Sequence, residues 1–150
     1  MTNQLHREPD FENISKVLRC EKPSRPTLFE FFMNGNVYEA AAGPAPQSDD
    51  PVDHMAYMAR AFAACGYDYV NYPGCDFGFP TGEKTRKNTI SLNEHALIKN
   101  WDDFEAYPWP DPKTADYSRL EKIRPFLPGN MKIMTAGPNG LLENVIDIVG

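Results

Sequence analysis

The chain is 150 residues long, 41% hydrophobic and 24% charged, which places it among folded globular proteins rather than disordered ones. Its net charge of −6 argues against an electrostatic grip on nucleic acid or on an anionic membrane. No apolar run approaches the roughly 18 residues of a membrane span, and MTNQLHREPD lacks the apolar region of a secretory signal. Residues 1–10 are expected to form a flexible N-terminus. Cys20, Cys65 and Cys75 contain no CxxC pair and read as reduced thiols of a cytoplasmic protein.

In chain order, Phe11, Ile14, Val17 and Leu18 recur at helical spacing after Asp10, a predicted N-cap. Pro23 and Pro26 forbid helix continuation and bias the residues before them toward extended geometry. Thr27 to Phe32, β-branched and aromatic, predicts a buried strand. Asn34 to Asp50, rich in Ala, Gly and Pro, predicts a loop. Asp50-Pro51 opens a helix whose inward stripe is Met55, Met58, Ala59, Phe62 and Ala63, ended by Gly66. Tyr67 to Tyr72 predicts a second strand, followed by a loop from Pro73 to Lys87. Its stretch Thr81 to Lys87 reads as a solvated, mobile basic segment, and Thr89 to Leu92 as a short extra strand. Ala96 to Tyr107 carries Leu97, Trp101 and Phe104 at helical intervals, and Trp109-Pro110-Asp111-Pro112 is a rigid connector. A further helix starts at Asp116 or Ser118, where Ser118 and Glu121 match a capping box, and Pro128-Gly129 stops it. Met131 to Ala136 predicts a third strand, Gly137 to Gly140 a tight turn, and Leu141 to Val149 a helix apolar at Leu142, Val145, Ile146 and Val149. Alternating βα units of this kind imply an α/β fold with a parallel sheet and right-handed crossovers. A Rossmann-like half fits the same alternation, but no GxGxxG follows any predicted strand.

Three stretches, LRCEKPSRPTLFEF, AFAACGYDYV and KIMTAGPNGLLENVIDIVG, together resemble the uroporphyrinogen decarboxylase superfamily. In that family a short helix with an LRGEKPDR-like ending leads into the first strand of a TIM barrel. The resemblance covers Phe11 to Gly150 and implies a partial (β/α)8 barrel, about the first three βα units preceded by an N-terminal helix. A complete barrel needs eight units. The expectation is therefore the N-terminal portion of a longer enzyme, or one piece of a split one.

Two branches share the family fold. The decarboxylases, which serve porphyrin biosynthesis, bind a tetrapyrrole bearing eight carboxylates and place an arginine-bearing segment just after the first strand. Here Phe31, Phe32, Met33, Asn34 and Gly35 stand there, with no arginine between them and Arg60. The family's carboxylate is matched by Asp76, and its tyrosine of the third helix falls near Asn144. The methyltransferases pass a methyl group between a corrinoid protein and a thiol or other acceptor, with zinc ligands in the later part of the barrel. The apolar entrance Phe29 to Met33 suits a corrinoid face or a small methylated substrate better than an octa-acid, so this branch is the favoured expectation. Uroporphyrinogen decarboxylation is the alternative, and a non-catalytic subunit completed by a partner chain is the third.

In such barrels chemistry gathers at the C-terminal ends of strands. That rule selects Asp76 and Glu30 as candidate catalytic residues, with Phe32, Asn34, Tyr72, Cys75 and Asn139 as candidate substrate-binding residues. Glu30, inside an apolar run, is expected to be a buried carboxylate that either serves binding or is satisfied by a local donor. Asn139 either meets an anion or caps the following helix. Cys75 without a nearby histidine makes a poor zinc site, and His54 and His95 are given no role.

Overall fold

A computed structural model describes residues 7–81, 96–137 and 140–150, which divide into two compact units. One comprises residues 7–74 and 117–136; the other comprises the described parts of 75–116 and 137–150. The predicted strand at Thr89 to Leu92, the basic segment beyond Thr81 and candidate Asn139 lie outside the described residues. No helix among the described residues is long and apolar enough to cross a membrane.

The first unit is mixed helix and strand. Helix α1 (Glu12–Leu18) is entered through Asp10, whose Oδ1 accepts from the Glu12 N–H at 3.2 Å, although Phe11 is the boundary residue. The helix closes in a Schellman turn. Glu21 N–H bonds Lys16 O at 2.8 Å and Cys20 N–H bonds Val17 O at 3.0 Å. Cys20 thereby occupies the left-handed position, φ +60°, where glycine is the ordinary residue. It is also the position of the glycine in the LRGEKPDR-like ending.

Helix α2 (Gly35–Ala42) occupies part of the stretch expected to be a loop. Its Val-Tyr-Glu-Ala-Ala-Ala run is a good helix former, and the Asn34 side chain accepts from the Val37 N–H at 3.1 Å to cap it. Helix α3 (Pro51–Ala64) follows the sequence closely. Asp50 Oδ1 accepts from the Val52 N–H at 2.8 Å, Pro51 sits in the first turn, and Met55, Ala56, Tyr57, Ala59, Ala61 and Phe62 are buried. Gly66, φ +88°, completes its own Schellman turn.

Strands β1 (Tyr69–Asn71) and β2 (Lys132–Met134) pair in parallel, with Val70 opposite Ile133. Both lie inside the predicted stretches but are shorter. Ile14, Ala59, Phe62, Tyr69, Val70 and Met131 form the main core, and Met55, Ala56 and Ile123 form a smaller one. Helix α5 (Ser118–Ile123) supplies Ile123. Its boundary residue is Tyr117, which lies between the two expected starts, Asp116 and Ser118.

The predicted first strand is not one. Thr27 to Phe32 belongs to no ladder, and Phe29, Phe31 and Phe32 are 60%, 56% and 74% exposed. The reason is local: the Tyr69 hydroxyl takes both main-chain groups of Glu30, accepting from its N–H at 2.6 Å and donating to its carbonyl. A side chain thus does the tethering that a strand ladder would do.

Arg7 to Asp10, expected to be flexible, are anchored. Asp68 is completely buried, and its carboxylate accepts from Arg25 Nη2, from Arg7 Nη2 at 3.4 Å and from the Asp10 N–H at 2.9 Å. The same guanidiniums donate to main-chain carbonyls, Arg7 to Pro26 O and Arg25 to Glu8 O, each at 2.8 Å. Asp10 also receives the Asn130 side-chain N–H at 3.1 Å. That bond, and then the Glu12 amide, hold its carboxyl below the ordinary carboxylate range.

In the second unit, α4 (Trp101–Ala106) is capped by Asn100, whose Oδ1 accepts from the Asp103 N–H at 3.0 Å, and is shorter than predicted. A single 3-10 turn spans Pro112–Thr114 in place of part of the connector. Helix α6 (Leu141–Val149) buries Ile148 against Ile98 and Tyr107. Of its expected apolar face, Leu142, Val145 and Val149 are exposed, because no described element packs over them.

Two measurements test this account. Asp68→Asn leaves two guanidiniums without their buried counter-charge and is expected to lower unfolding free energy by about 3–5 kcal/mol, read from urea midpoints. Cys20→Gly relieves the left-handed backbone and is expected to raise stability by about 1 kcal/mol. An unchanged midpoint in either variant contradicts the corresponding assignment.

Candidate functional site

The C-terminal ends of β1 and β2 and the tethered segment meet at a small cleft of about 40 Å³, lined by Phe29, Glu30, Phe31, Tyr69, Asn71, Met134, Thr135 and Ala136. Each wall has a local cause. The parallel register ends with Asn71 opposite Met134, so Thr135 and Ala136 emerge directly beyond the sheet. Asn71 Nδ2 donates to Phe31 O at 2.9 Å, and with the Tyr69–Glu30 pair this fixes the segment alongside β1. Phe29 stacks on Tyr69, with centroids 5.6 Å apart and planes 27° apart, and meets Phe31 edge-on at 5.3 Å.

The Tyr69 hydroxyl is held neutral. Burial is the first cause and raises its pKa above the ordinary value near 10; the hydrogen bond to the Glu30 main chain works in the opposite sense. Glu30 is exposed rather than buried, and its Oε1 accepts from the Phe31 N–H at 2.9 Å. Polarity in the cleft therefore comes from one carboxylate, one amide and two hydroxyls, those of Tyr69 and Thr135. No arginine or lysine lines it among the described residues.

The sequence-selected residues separate. Glu30 lines the cleft, and Phe32 lies just beyond it with its ring in solvent. Asn34 spends its side-chain oxygen on the cap of α2. Tyr72 turns to the helix-covered side, packing with Met55, Ala56 and Ile123. Cys75, half-buried, and Asp76, exposed, begin the second unit. Asn71 and Thr135 were not selected. Each is the first uncharged polar side chain at or just past the end of its strand (YVN, KIMT), a signal visible once strand ends are known to within a residue.

Among the described residues no three His, Cys, Asp or Glu side chains gather where they could hold a metal ion. A cleft of about 40 Å³ has room for about one water molecule and not for a tetrapyrrole or corrinoid ring. These residues alone enclose neither ring. Compared with known proteins, the chain matches no family model, no curated protein and no solved structure.

Tyr69→Phe keeps the ring and removes the hydroxyl. It is expected to cost about 1–2 kcal/mol and to speed amide exchange at Glu30 and Phe31. Exchange at wild-type rates there would show that the hydroxyl is not the tether.

Proposed function

We propose that this chain builds the first part of a TIM-barrel enzyme of the uroporphyrinogen decarboxylase superfamily, on the corrinoid-linked methyltransferase branch, working in the cytoplasm. The observation that carries the family reading is that two of its motifs and the opening strand of the third, KIMTA, meet in one unit. Arg25 of LRCEKPSRP pairs with Asp68 of GYDYV, and KIM lies parallel to YVN. Side chains that answer one another across 43 positions are a stronger reason to group these motifs than their separate likenesses.

In this reading the tethered segment Thr27 to Phe32, which joins no ladder, runs where the family's first strand would lie, and the two-stranded parallel sheet is a portion of the eight. The remaining units come from further polypeptide. The branch is argued from the side chains around Glu30, since the cleft itself admits neither ring. A substrate with eight carboxylates needs cations aimed at it, whereas the walls here are phenylalanine, methionine and alanine around Glu30, Asn71 and Thr135. No step of methyl transfer is assigned to these residues. Their contribution is an apolar wall with Glu30 positioned at its rim.

The test is an assay of the complete gene product for methyl transfer from methylcobalamin to a thiol and, separately, for uroporphyrinogen turnover. Methyl transfer without decarboxylation is expected, and Glu30→Gln, at an exposed position, is expected to lower it at least tenfold with the fold intact. Decarboxylation alone would move the protein to the other branch. Neither activity would leave the non-catalytic subunit as the reading.

A further inference from the structure

The second unit carries a row of six aromatic rings in unbroken contact. Phe77 meets Phe79 at 6.2 Å, Phe79 meets Trp109 at 6.2 Å, and Trp109 meets both Tyr107 at 4.7 Å and Phe104 at 4.9 Å. Trp101 stacks on Phe104 at 5.0 Å with planes 17° apart. Trp101 is 68% exposed and Trp109 47%. Tryptophan left this far in solvent marks a surface that does something.

Their exposure is not looseness. Trp101 Nε1 donates to Glu105 Oε1 at 3.0 Å, and Trp109 Nε1 donates to Phe104 O at 2.9 Å. Both indoles have their polar edge satisfied within the fold and their faces held in place. Rings fixed before binding lose little entropy when a partner covers them.

Beside the row runs an open cleft of about 340 Å³, lined by Pro80, Thr81, Leu97, Asp103, Ala106, Tyr107 and Pro108. Asp102, Asp103 and Glu105 lie on α4 and Asp111 follows it, against Lys99 and Lys113 in the same stretch. We propose that this cleft, with Asp103 and Tyr107 in its wall and the exposed Trp101 and Trp109 in the row that Tyr107 joins, docks an extended, arginine-bearing segment of a partner protein. A guanidinium is the cation that stacks on an indole face while pairing in-plane with a carboxylate. A small cationic ligand would call for an enclosed pocket that buries most of its surface. An open cleft running beside a row of rings suits an extended chain, as in the aromatic grooves that accept polyproline segments.

The experiment uses the whole chain and a fluorescein-labelled decapeptide, PRPPRPPRPP, with fluorescence anisotropy as readout. A second peptide carries Glu in place of each Arg. Binding of the Arg peptide is expected to exceed that of the Glu peptide at least tenfold and to weaken with added salt. Trp101→Ala is expected to weaken it about tenfold, Trp101→Phe less, and the Asp102→Asn/Asp103→Asn pair to remove most of the salt dependence. Circular dichroism confirms that each variant is folded, and Trp101→Phe carries the test if Trp101→Ala is not. Equal binding of the two peptides, or no effect at Trp101, overturns the proposal. So does binding that appears only after Lys84, Arg86 and Lys87 are changed to Ala, since the chain's own basic segment would then be the occupant.

Discussion

One buried carboxylate organises the first unit. Asp68 has no exposed surface, and a charge so placed is tolerated only when paired and hydrogen-bonded. It draws Arg7, Arg25 and the Asp10 amide to the entrance of β1 from two separate stretches of chain. Because each guanidinium also holds a carbonyl on the other's strand of chain, Pro26 for Arg7 and Glu8 for Arg25, the two stretches are stitched to each other as well as to Asp68. With both ends of α1 fixed in this way, Ile14 meets Phe62 and Ala59 in the core. The pairing is not fully saturated: among the described residues, the Nε of Arg7 and of Arg25 has no partner. The clamp specifies position at some expense in satisfied hydrogen bonds.

The cleft follows from that placement. Pro26 is held at the clamp, so Thr27 onward must leave along β1, where Tyr69 and Asn71 take hold of Glu30 and Phe31. Tyr69 does two jobs with one side chain. Its ring packs against Phe62 and Phe29, and its hydroxyl closes the main-chain groups of Glu30. A phenylalanine there would serve the core and leave the cleft without its wall.

Much of the fold was legible where one residue type has one physical role. Asp50-Pro51, the apolar stripe and Gly66 identify α3 because cap, first turn and stop each rest on local chemistry. Helix α2 was hidden because Ala, Gly and Pro around it read as loop composition, while its real signal, Asn34 capping a Val-Tyr-Glu-Ala run, is short. The stretch Thr27 to Phe32 was misjudged for a different reason. A β-branched and aromatic run too apolar for one wet face reports that a surface wants cover and not whether cover is present. The site inherits these errors: Asn34 follows a predicted strand that does not form and Tyr72 lies one residue past the end of β1, while Asn71 and Thr135, at the true strand ends, are passed over. Asp68 itself was readable as an acid among tyrosines and valine in YDYV, but its two arginines lie 43 and 61 positions away, beyond the reach of any local pattern.

Those separations bear on how the chain comes off the ribosome. The N-terminal stretch holding Arg7 and Arg25 is made first, yet its counter-charge arrives only with residue 68, and the Asp10 bridge to Asn130 closes across 120 positions. At about 5–20 residues per second, the nascent segment with its three phenylalanines waits roughly 2–10 seconds for Asp68 and longer for β2. During that interval an apolar run with unclaimed main-chain groups is exposed, a form that chaperones retain and that neighbouring nascent chains can pair with. An aspartate that secures the finished unit thus also sets the earliest moment at which its first thirty or so residues are safe from misassembly.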